Sequence, residues 1–361
     1  MFNLSRSTLV LLLLAVAPQA ALSQSNNSQP GATVEASNKS AKLAESNTLS
    51  VQVVKLHGQG KFDEALTLAE RAVKLREEAV GGDHTLVADA LTNLGAIYLA
   101  KGKADKGRQL YTRALSIYEK NGAANNTNIS KLHDSLGLLE RFVFGNYPAA
   151  IEHYERALAL REKALGAEHD VVINNLYNLA ELHELRDQTD KALAIHRRVI
   201  GIKEKYEAKE PYQLVKALNR FICLSERIKL KAETEEAKRR VEEIEKREEE
   251  RREQEEAREK SSGQSSNAAS ETVKGGVING RAISKPAPLY PEAARIQRIS
   301  GVVVIYVTVD EKGYVIDAYP CGHPLLSEAA LRAAYSARFS PTLLSGKPVK
   351  VTGIITYKFV I

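Results

Sequence analysis

Asparagine side chains recur at one position of a repeated pattern, and their chemistry suits the binding of another chain. Asn93 and Asn178 hold the same register position, and the pattern places Ser135 and Asn219 at the corresponding points. An amide can clamp a peptide backbone by donating one hydrogen bond and accepting another. The same amides could instead cap or bridge neighbouring helices, so the sequence leaves both roles open.

The sequence lacks the residue patterns that familiar classes of enzyme need. It contains no nucleophile elbow, HExxH motif or paired-cysteine metal site, and Gly58-Gln-Gly-Lys61 has neither the spacing nor the hydroxyl residue of a phosphate loop. His84 and His169 fall in predicted loops, where a structural turn role is favoured over metal ligation. We therefore predict a non-enzymatic protein with no catalytic residue, no metal and no cofactor.

The composition of the 361 residues indicates a folded chain with unlike segments. Hydrophobic residues make up 43% and charged residues 27%, which disfavours both wholesale disorder and a polytopic membrane protein. Residues 231–260 hold 10 basic residues against 13 Glu, whereas residues 281–361 hold 10 basic residues against 5 acidic ones. The formal charge of +6 is thus unevenly distributed, and we predict no nucleic-acid partner.

Residues 1–23 have the pattern of an export signal. The apolar run Leu9–Leu22 follows a single Arg, and small residues near its end suit a signal-peptidase cut after Ser23. Its 14 residues would span about 21 Å as a helix, against a hydrocarbon core of about 30 Å. We predict a cleaved signal peptide, with an uncleaved short anchor as the alternative, followed by a flexible leader over residues 24–44.

Residues 45–228 contain a repeat with a period of 42 or 43 residues. A turn recurs at Gly60, Gly102 and Gly145, with a looser copy at Gln188. Each unit carries apolar residues at i, i+3, i+4 and i+7 in two blocks, which predicts two helices joined by that turn. The pattern resembles tetratricopeptide repeats, and more closely the long units of kinesin light chains. The resemblance implies an all-α solenoid whose concave face binds an extended peptide.

Residues 229–260 are dominated by Glu, Lys, Arg and Gln. Pairs such as Glu235 with Arg239 lie four residues apart and favour a solvated single helix, whereas the heptads of a coiled coil are only weakly developed. We predict a charged helical spacer in this segment. The Ser-rich residues 261–280 are predicted to be a flexible linker.

Residues 281–361 have the pattern of a small α+β domain. A β-branched run from Gly301 to Asp310, a turn closing at Gly313 and a second apolar run predict a hairpin. A short helix precedes this hairpin, helical spacing follows over Leu325–Arg338, and a long strand ends the chain. The predicted element order is αββαβ.

Short motifs run through the same segment in a fixed order. They are Pro288-Leu-Tyr-Pro291, Ala294-Arg295, Ser300-Gly301, the turn from Asp310 to Gly313, Gly322-His-Pro-Leu-Leu326, Arg338-Phe-Ser-Pro341 and Gly346-Lys-Pro-Val349. Together they resemble the C-terminal domain of TonB-type energy transducers. Among these motifs, the TonB-like motif residues are Tyr290, Pro291, Arg295 and Gly301.

This resemblance implies an interaction module. In that family the domain binds a short N-terminal peptide of an outer-membrane transporter, which adds as a strand at a sheet edge. The corresponding edge here comprises Lys350, Val351, Thr352, Gly353, Ile354, Ile355, Thr356, Tyr357 and Lys358. The implied partners are a TonB-dependent transporter or similar envelope protein and inner-membrane motor proteins, beside an unknown peptide or protein on the repeats.

The sequence leaves two roles in the cell envelope open. Transducers have a full membrane helix and a proline-rich arm, whereas the apolar run here is short and Pro accounts for 11 of 361 residues. The first interpretation is a TonB-like transducer or adaptor located in the periplasm or anchored in the inner membrane, and the alternative is a soluble periplasmic scaffold. Because Cys223 and Cys321 lie in different predicted domains, we expect no disulfide between them.

Overall fold

The computed structural model describes residues 34–122, 126–262, 272–278, 282–344 and 347–361. It forms two compact units, one up to Leu179 and one from Ala180 onward. The predicted signal peptide, residues 24–33 of the predicted leader, and residues 263–271 and 279–280 of the predicted linker lie outside the described residues. Within the described ranges, no helix combines the length and the apolar character needed to cross a membrane.

The first unit is an array of paired helices. Sequence neighbours pack against each other as the repeat pattern predicts, which confirms the helix–turn–helix units. The helix bounds are α1 Val34–Gly58, α2 Phe62–Val80, α3 Thr85–Ala100, α4 Ala104–Lys120, α5 Asn126–Leu139 with a π-helical turn Glu140–Phe144, α6 Tyr147–Leu165 and α7 Asp170–Leu185, which continues into the second unit. Helix α1 begins inside the segment that was expected to be a flexible leader.

Small residues allow the paired helices to approach closely. A Cβ on Gly95 of α3 would lie 2.6 Å from the ring of Tyr111 on α4, and one on Gly107 would overlap the side chain of Leu99. Tyr111 is only 1% exposed. The glycines of the repeat therefore serve the packing between helices as well as the turns, and a larger side chain at either place would separate α3 from α4.

The second unit begins with the remaining helices of the array, which are α8 Thr189–Glu204, α9 Pro211–Arg227 and α10 Lys231–Ser262. The charged segment is helical as predicted, but its first half differs from a solvated spacer because it packs on α9. Ala237, Val241 and Ile244 are buried. Their spacing of three and four residues places them on one helix face, and ion pairs such as Arg240–Glu204 at 2.7 Å connect α10 to α8.

The C-terminal part of the second unit contains the predicted αββαβ order together with additional short strands. Its bounds are β1 Thr272–Val277, β2 Ala282–Ser284, α11 Glu292–Ile296, β3 Gly301–Val309, β4 Val315–Cys321, α12 Pro324–Tyr335, β5 Arg338–Phe339, β6 Thr342–Leu344 and β7 Lys347–Phe359. The main sheet has the order β1-β7-β3-β4, with β6 also paired to β7, and β2 pairs with β5 separately. Strand β3 is antiparallel to both β4 and β7, whereas β1 is parallel to β7.

One face of this sheet forms the core with α12. Val303, Ile305 and Ile355 are fully buried, together with Leu326 of the helix. Because side chains alternate along a strand, residues such as Tyr306 lie on the opposite face. The sheet therefore has one face for its own helix and one face that other elements can cover.

Candidate functional site

The main-chain groups of β7 face two different neighbours. The Ile278 N–H donates to the Ile354 carbonyl at 3.1 Å, and the Lys285 ammonium donates to the Thr356 carbonyl at 3.3 Å. Even-numbered residues of β7 thus direct their groups to the outer edge, and odd-numbered residues such as Ile355 direct theirs to β3. Only the even-numbered residues can pair with an added strand.

The predicted peptide-binding edge lies on β7, and other parts of the chain already pair with it. Strand β1 runs parallel to it, with Thr272 opposite Lys350 and Val277 opposite Ile354. Strand β6 pairs with residues 347–349, which precede the predicted edge, and Lys285 contacts Thr356 within it. Strand β1 was not predicted from the sequence, because its segment was assigned to the flexible linker.

The side chain of Ile278 anchors β1 in the core. Ile278 is 3% exposed and packs in the same cluster as Val307 and Ile355. A Cβ on Gly353 would lie 2.8 Å from Ile278 Cγ2 and 3.1 Å from its Cδ1. Gly353 therefore leaves a space in β7 that the side chain of Ile278, the residue directly after β1, fills.

The TonB-like motif residues shape the start of the domain. The Tyr290 hydroxyl donates to the Ile299 carbonyl, and its ring meets Phe359 edge-on with centroids 5.6 Å apart. Pro291 precedes α11 and accepts the N–H of Arg295 at 3.0 Å, while the Arg295 side chain is exposed. Gly301 opens β3 opposite Phe359. Tyr290, Pro291 and Gly301 have structural contacts, and Arg295 presents an accessible charge.

The four repeat residues offer different groups to a ligand. Asn93, Asn178 and Asn219 are half-buried, and within the described part of the chain their amides have no hydrogen-bond partner. Ser135 is fully buried and donates to the Lys131 carbonyl at 3.0 Å. The three amides remain able to bind a peptide, whereas the Ser135 hydroxyl is used within its own helix.

Asn219 lines a pocket of about 280 Å³ in the second unit. Helix α9 forms one side of this pocket and the outer face of the sheet forms the other. Tyr306 and Tyr319 stack with ring centroids 4.8 Å apart, and the Lys216 ammonium lies 2.6 Å from the Asp317 carboxylate. Asn219 therefore borders a site built partly by the C-terminal domain.

A disulfide joins Cys223 of α9 to Cys321 at the end of β4, with their Cα atoms 5.3 Å apart. The expectation that these cysteines would not pair was wrong. They are 98 residues apart in sequence, but α9 packs on β4 and brings them together. The Arg220 guanidinium also lies over the Tyr319 ring at 4.7 Å, so the bond is part of a larger contact.

Histidines cap several of the helices. His84, His169 and His323 each accept a hydrogen bond through Nδ1 from the N–H two residues later, at 3.1, 3.2 and 3.3 Å respectively. This agrees with the turn role predicted for His84 and His169. In the described ranges no group of three or more His, Cys, Asp or Glu side chains is placed to hold a metal ion.

His133 of α5 and His153 of α6 form a pair that has no counterpart among the predicted sites. Their Nδ1 atoms are 3.0 Å apart, and His133 is 2% exposed. Burial, together with the nearby His153 and Arg156, lowers the pKa of His133 to about 4. Burial also lowers the pKa of His153, although Glu140 and Glu152 oppose this. The folded first unit therefore favours the neutral form of both rings.

Acidification should destabilise the first unit because of this pair. A His in the unfolded chain has a pKa of about 6.5, so the unfolded chain takes up protons before the folded unit does. The folded unit therefore has its full stability above that pH and loses stability as the pH falls toward about 4, the pKa of folded His133. The free energy of unfolding should fall by up to about 1.4 kcal/mol per pH unit for each ring. Urea unfolding followed by circular dichroism between pH 7 and pH 5 measures this slope. His133→Gln is the control and should flatten it; equal slopes in both chains would contradict the assignment.

Family comparisons match both parts of the chain. Residues 54–120 and 128–205 match the tetratricopeptide repeat family. Residues 286–361 match the C-terminal domain of the Gram-negative bacterial TonB protein. Both are families of protein-interaction domains, and the second is found in the Gram-negative cell envelope.

Individual curated relatives match part of the chain. Protein KINESIN LIGHT CHAIN-RELATED 2 of Arabidopsis thaliana is 24% identical over 147 residues, which are 40% of this chain and 22% of that protein. Protein KINESIN LIGHT CHAIN-RELATED 3 of the same organism is 22% identical over 145 residues, again 40% of this chain and 22% of that protein. The chain thus spans about a fifth of the length of the curated relatives it matches.

Solved structures are similar to part of the chain. One is a putative kinesin light chain of Podosopora anserina, with 18% identity, a TM-score of 0.48, and coverage of 57% of this chain and 96% of that chain. Another is BtubC (BKLC) from P. vanneervenii, with 18% identity, a TM-score of 0.47, and coverage of 60% and 93%. On the family matches, the chain carries tetratricopeptide repeats followed by a TonB-type C-terminal domain.

Proposed function

We propose that this chain is an exported cell-envelope adaptor. Its TonB-type domain would capture an extended segment of an outer-membrane transporter, or of a similar envelope protein, at the outer edge of β7. The observation that carries this proposal is that β7 accepts a parallel strand at that edge, since β1 is paired there. Main-chain pairing would supply affinity and the side chains of the added strand would supply selectivity.

The disulfide supports the proposed location. Cys223 and Cys321 are bonded, and structural disulfides persist in oxidising compartments such as the bacterial periplasm. The export signal predicted over residues 1–23 points to the same compartment. The adaptor role requires binding only, so it holds for a periplasmic scaffold and for a transducer that also contacts inner-membrane motor proteins.

The repeats are proposed to dock a second protein. Asn93 and Asn178 occupy one register position of the repeat, and their half-buried amides have no partner among the described residues. Such amides can hold the backbone of an extended peptide. A chain with two binding parts of this kind can link a transporter to another envelope component.

Backbone methylation of the ligand tests capture by strand addition. Synthetic N-terminal peptides of the TonB-dependent transporters of the host are titrated into the full chain, and binding is measured by fluorescence anisotropy. N-methylation at a peptide residue whose N–H faces β7 should weaken binding up to about ten-fold, because one main-chain hydrogen bond is lost. N-methylation at the next residue, whose N–H faces away from β7, is the matched control.

The test compares the loss of affinity at two neighbouring peptide residues, one with its N–H facing β7 and one with its N–H facing away. Equal effects at both positions, or no binding of any transporter peptide, would contradict capture by strand addition. Methylating the ligand is preferable to replacing Ile355 by Pro, because Ile355 is fully buried and directs its N–H to β3. That substitution would damage the core rather than the edge.

A further inference from the structure

Strand β1 is paired to β7 by a ladder that is interrupted in the middle. Three pairs run from Thr272 opposite Lys350 to Lys274 opposite Thr352, and the register then shifts before Val277 meets Ile354. Gly276 lies in this interruption with φ of +58° and is exposed. The ladder between β3 and β7 has nine pairs without a shift. The main chain alone therefore holds β1 less firmly than it holds β3.

Ile278 compensates for the short ladder. Val307 of β3 pairs with Gly353 of β7, and Ile278 fills the space that a side chain at position 353 would otherwise occupy. The core of the domain is thus completed by an aliphatic side chain from the residue directly after β1. Close packing makes such a position selective for side-chain size.

We infer that the outer edge of β7 is a strand-exchange site that β1 fills until a partner displaces it. The partner that fits is an extended segment of another envelope protein, parallel to β7, with a large aliphatic residue at the position of Ile278. This inference rests on the proposed function for its choice of β7 as the capturing strand. Beyond that function, it identifies β1 as the strand that must leave and a large aliphatic side chain as the group that the incoming segment must carry.

The charges around the edge favour a segment with acidic residues near the aliphatic anchor. Lys285 lies against the Thr356 carbonyl, just beyond the place where β1 ends. Lys358 is exposed further along the same strand. These ammonium groups would speed the encounter with an acidic segment and would set its direction.

A peptide copy of β1 provides a defined probe. Fluorescein-labelled Thr-Val-Lys-Gly-Gly-Val-Ile, the sequence of residues 272–278, is titrated into the full chain. Ile278→Ser removes the anchor of the resident strand and leaves β7 unchanged, so this variant should bind the probe at least about ten-fold more tightly than the wild type. A probe whose final Ile is replaced by Ser should lose this gain.

Two further variants keep the test decisive. Ile283→Ser is the matched control, because Ile283 is 71% exposed and its replacement should leave probe binding at the wild-type level. Gly353→Ala fills the space of Ile278 from the β7 side. In that variant the amides of residues 272–278 should exchange with solvent rapidly, and the probe should bind no more tightly than it binds the wild type.

The possible outcomes separate this inference from the proposed function. Equal probe affinity for the wild type and folded Ile278→Ser would overturn the inference, as would a stable Ile278→Ser dimer that excludes the probe, because a second copy would then fill the edge. If transporter peptides bind the wild type and Ile278→Ser with equal affinity, the proposed function is supported, and the inference that β1 must be displaced is overturned. Tighter probe binding without any transporter binding would support strand exchange and contradict the transporter assignment.

Discussion

Gly313→Ala should unfold the C-terminal domain under conditions in which the wild type is folded. Gly313 closes the turn between β3 and β4 with φ of +85°, and a Cβ there would overlap the Phe339 carbonyl oxygen. The Phe339 N–H donates to the Gly313 carbonyl at 2.9 Å, so the turn cannot move away without losing this hydrogen bond. Positive φ alone costs alanine about 1–2 kcal/mol, and with the overlap we expect a loss of at least about 3 kcal/mol.

Gly145→Ala separates the two causes of this loss. Gly145 has φ of +64°, and a Cβ there would meet no neighbouring atom within 4 Å, so its replacement measures the backbone preference alone. Urea unfolding by circular dichroism, with hydrogen exchange of β3 and β4, gives both losses. Lys312→Ala, at an exposed neighbour of Gly313, should be neutral. If Gly313→Ala costs no more than Gly145→Ala, the overlap is not the dominant effect.

The elements that could be predicted from the sequence depend on local patterns. The repeat helices follow from apolar residues at helical spacing and from turns such as the one at Gly145. The β3–β4 hairpin follows from two β-branched runs around Gly313. In both cases the residues that determine the element lie within a few positions of each other, so one sequence is sufficient.

The elements that were not predicted depend on residues far apart in sequence. The segment of β1 contains Gly275 and Gly276 and has the composition of a linker; its anchor Ile278 acquires its role only from the space at Gly353. Which residues of β7 direct their main-chain groups to the outer edge is likewise set by the register of β7 with β3. By contrast, the buried positions of α10 were visible as a spacing of three and four residues, and only the abundance of charge obscured them.

The candidate site shows the same division. The shared register of Asn93 and Asn178 follows from the repeat pattern, and both side chains are half-buried. Asn219 shares that register, yet it lines a pocket with Tyr306 and Tyr319. This environment depends on the packing of α9 against the sheet, which no repeat pattern contains.

Replacing both Cys223 and Cys321 by Ser should destabilise the second unit by about 4 kcal/mol. The bond links residues 98 positions apart. Closing a loop of about 100 residues lowers the conformational entropy of the unfolded chain, which stabilises the folded state by up to about 4.7 kcal/mol in the chain-entropy description. For a unit of this size the midpoint of thermal unfolding should fall by about 10 °C. Calorimetry of the double variant measures the change without leaving a reactive single thiol.

The contacts around the disulfide cannot replace it. Lys216 and Asp317 are 2.6 Å apart, but their side chains are 26% and 42% exposed, and partly exposed ion pairs contribute at most about 1 kcal/mol. Lys216→Ala is therefore the control and should lower the midpoint only slightly. Reduction of the wild type by a thiol should reproduce the midpoint of the double variant, because both remove the same restriction. A double variant as stable as the oxidised wild type would mean that the packing of α9 on β4, rather than the covalent bond, holds these elements together.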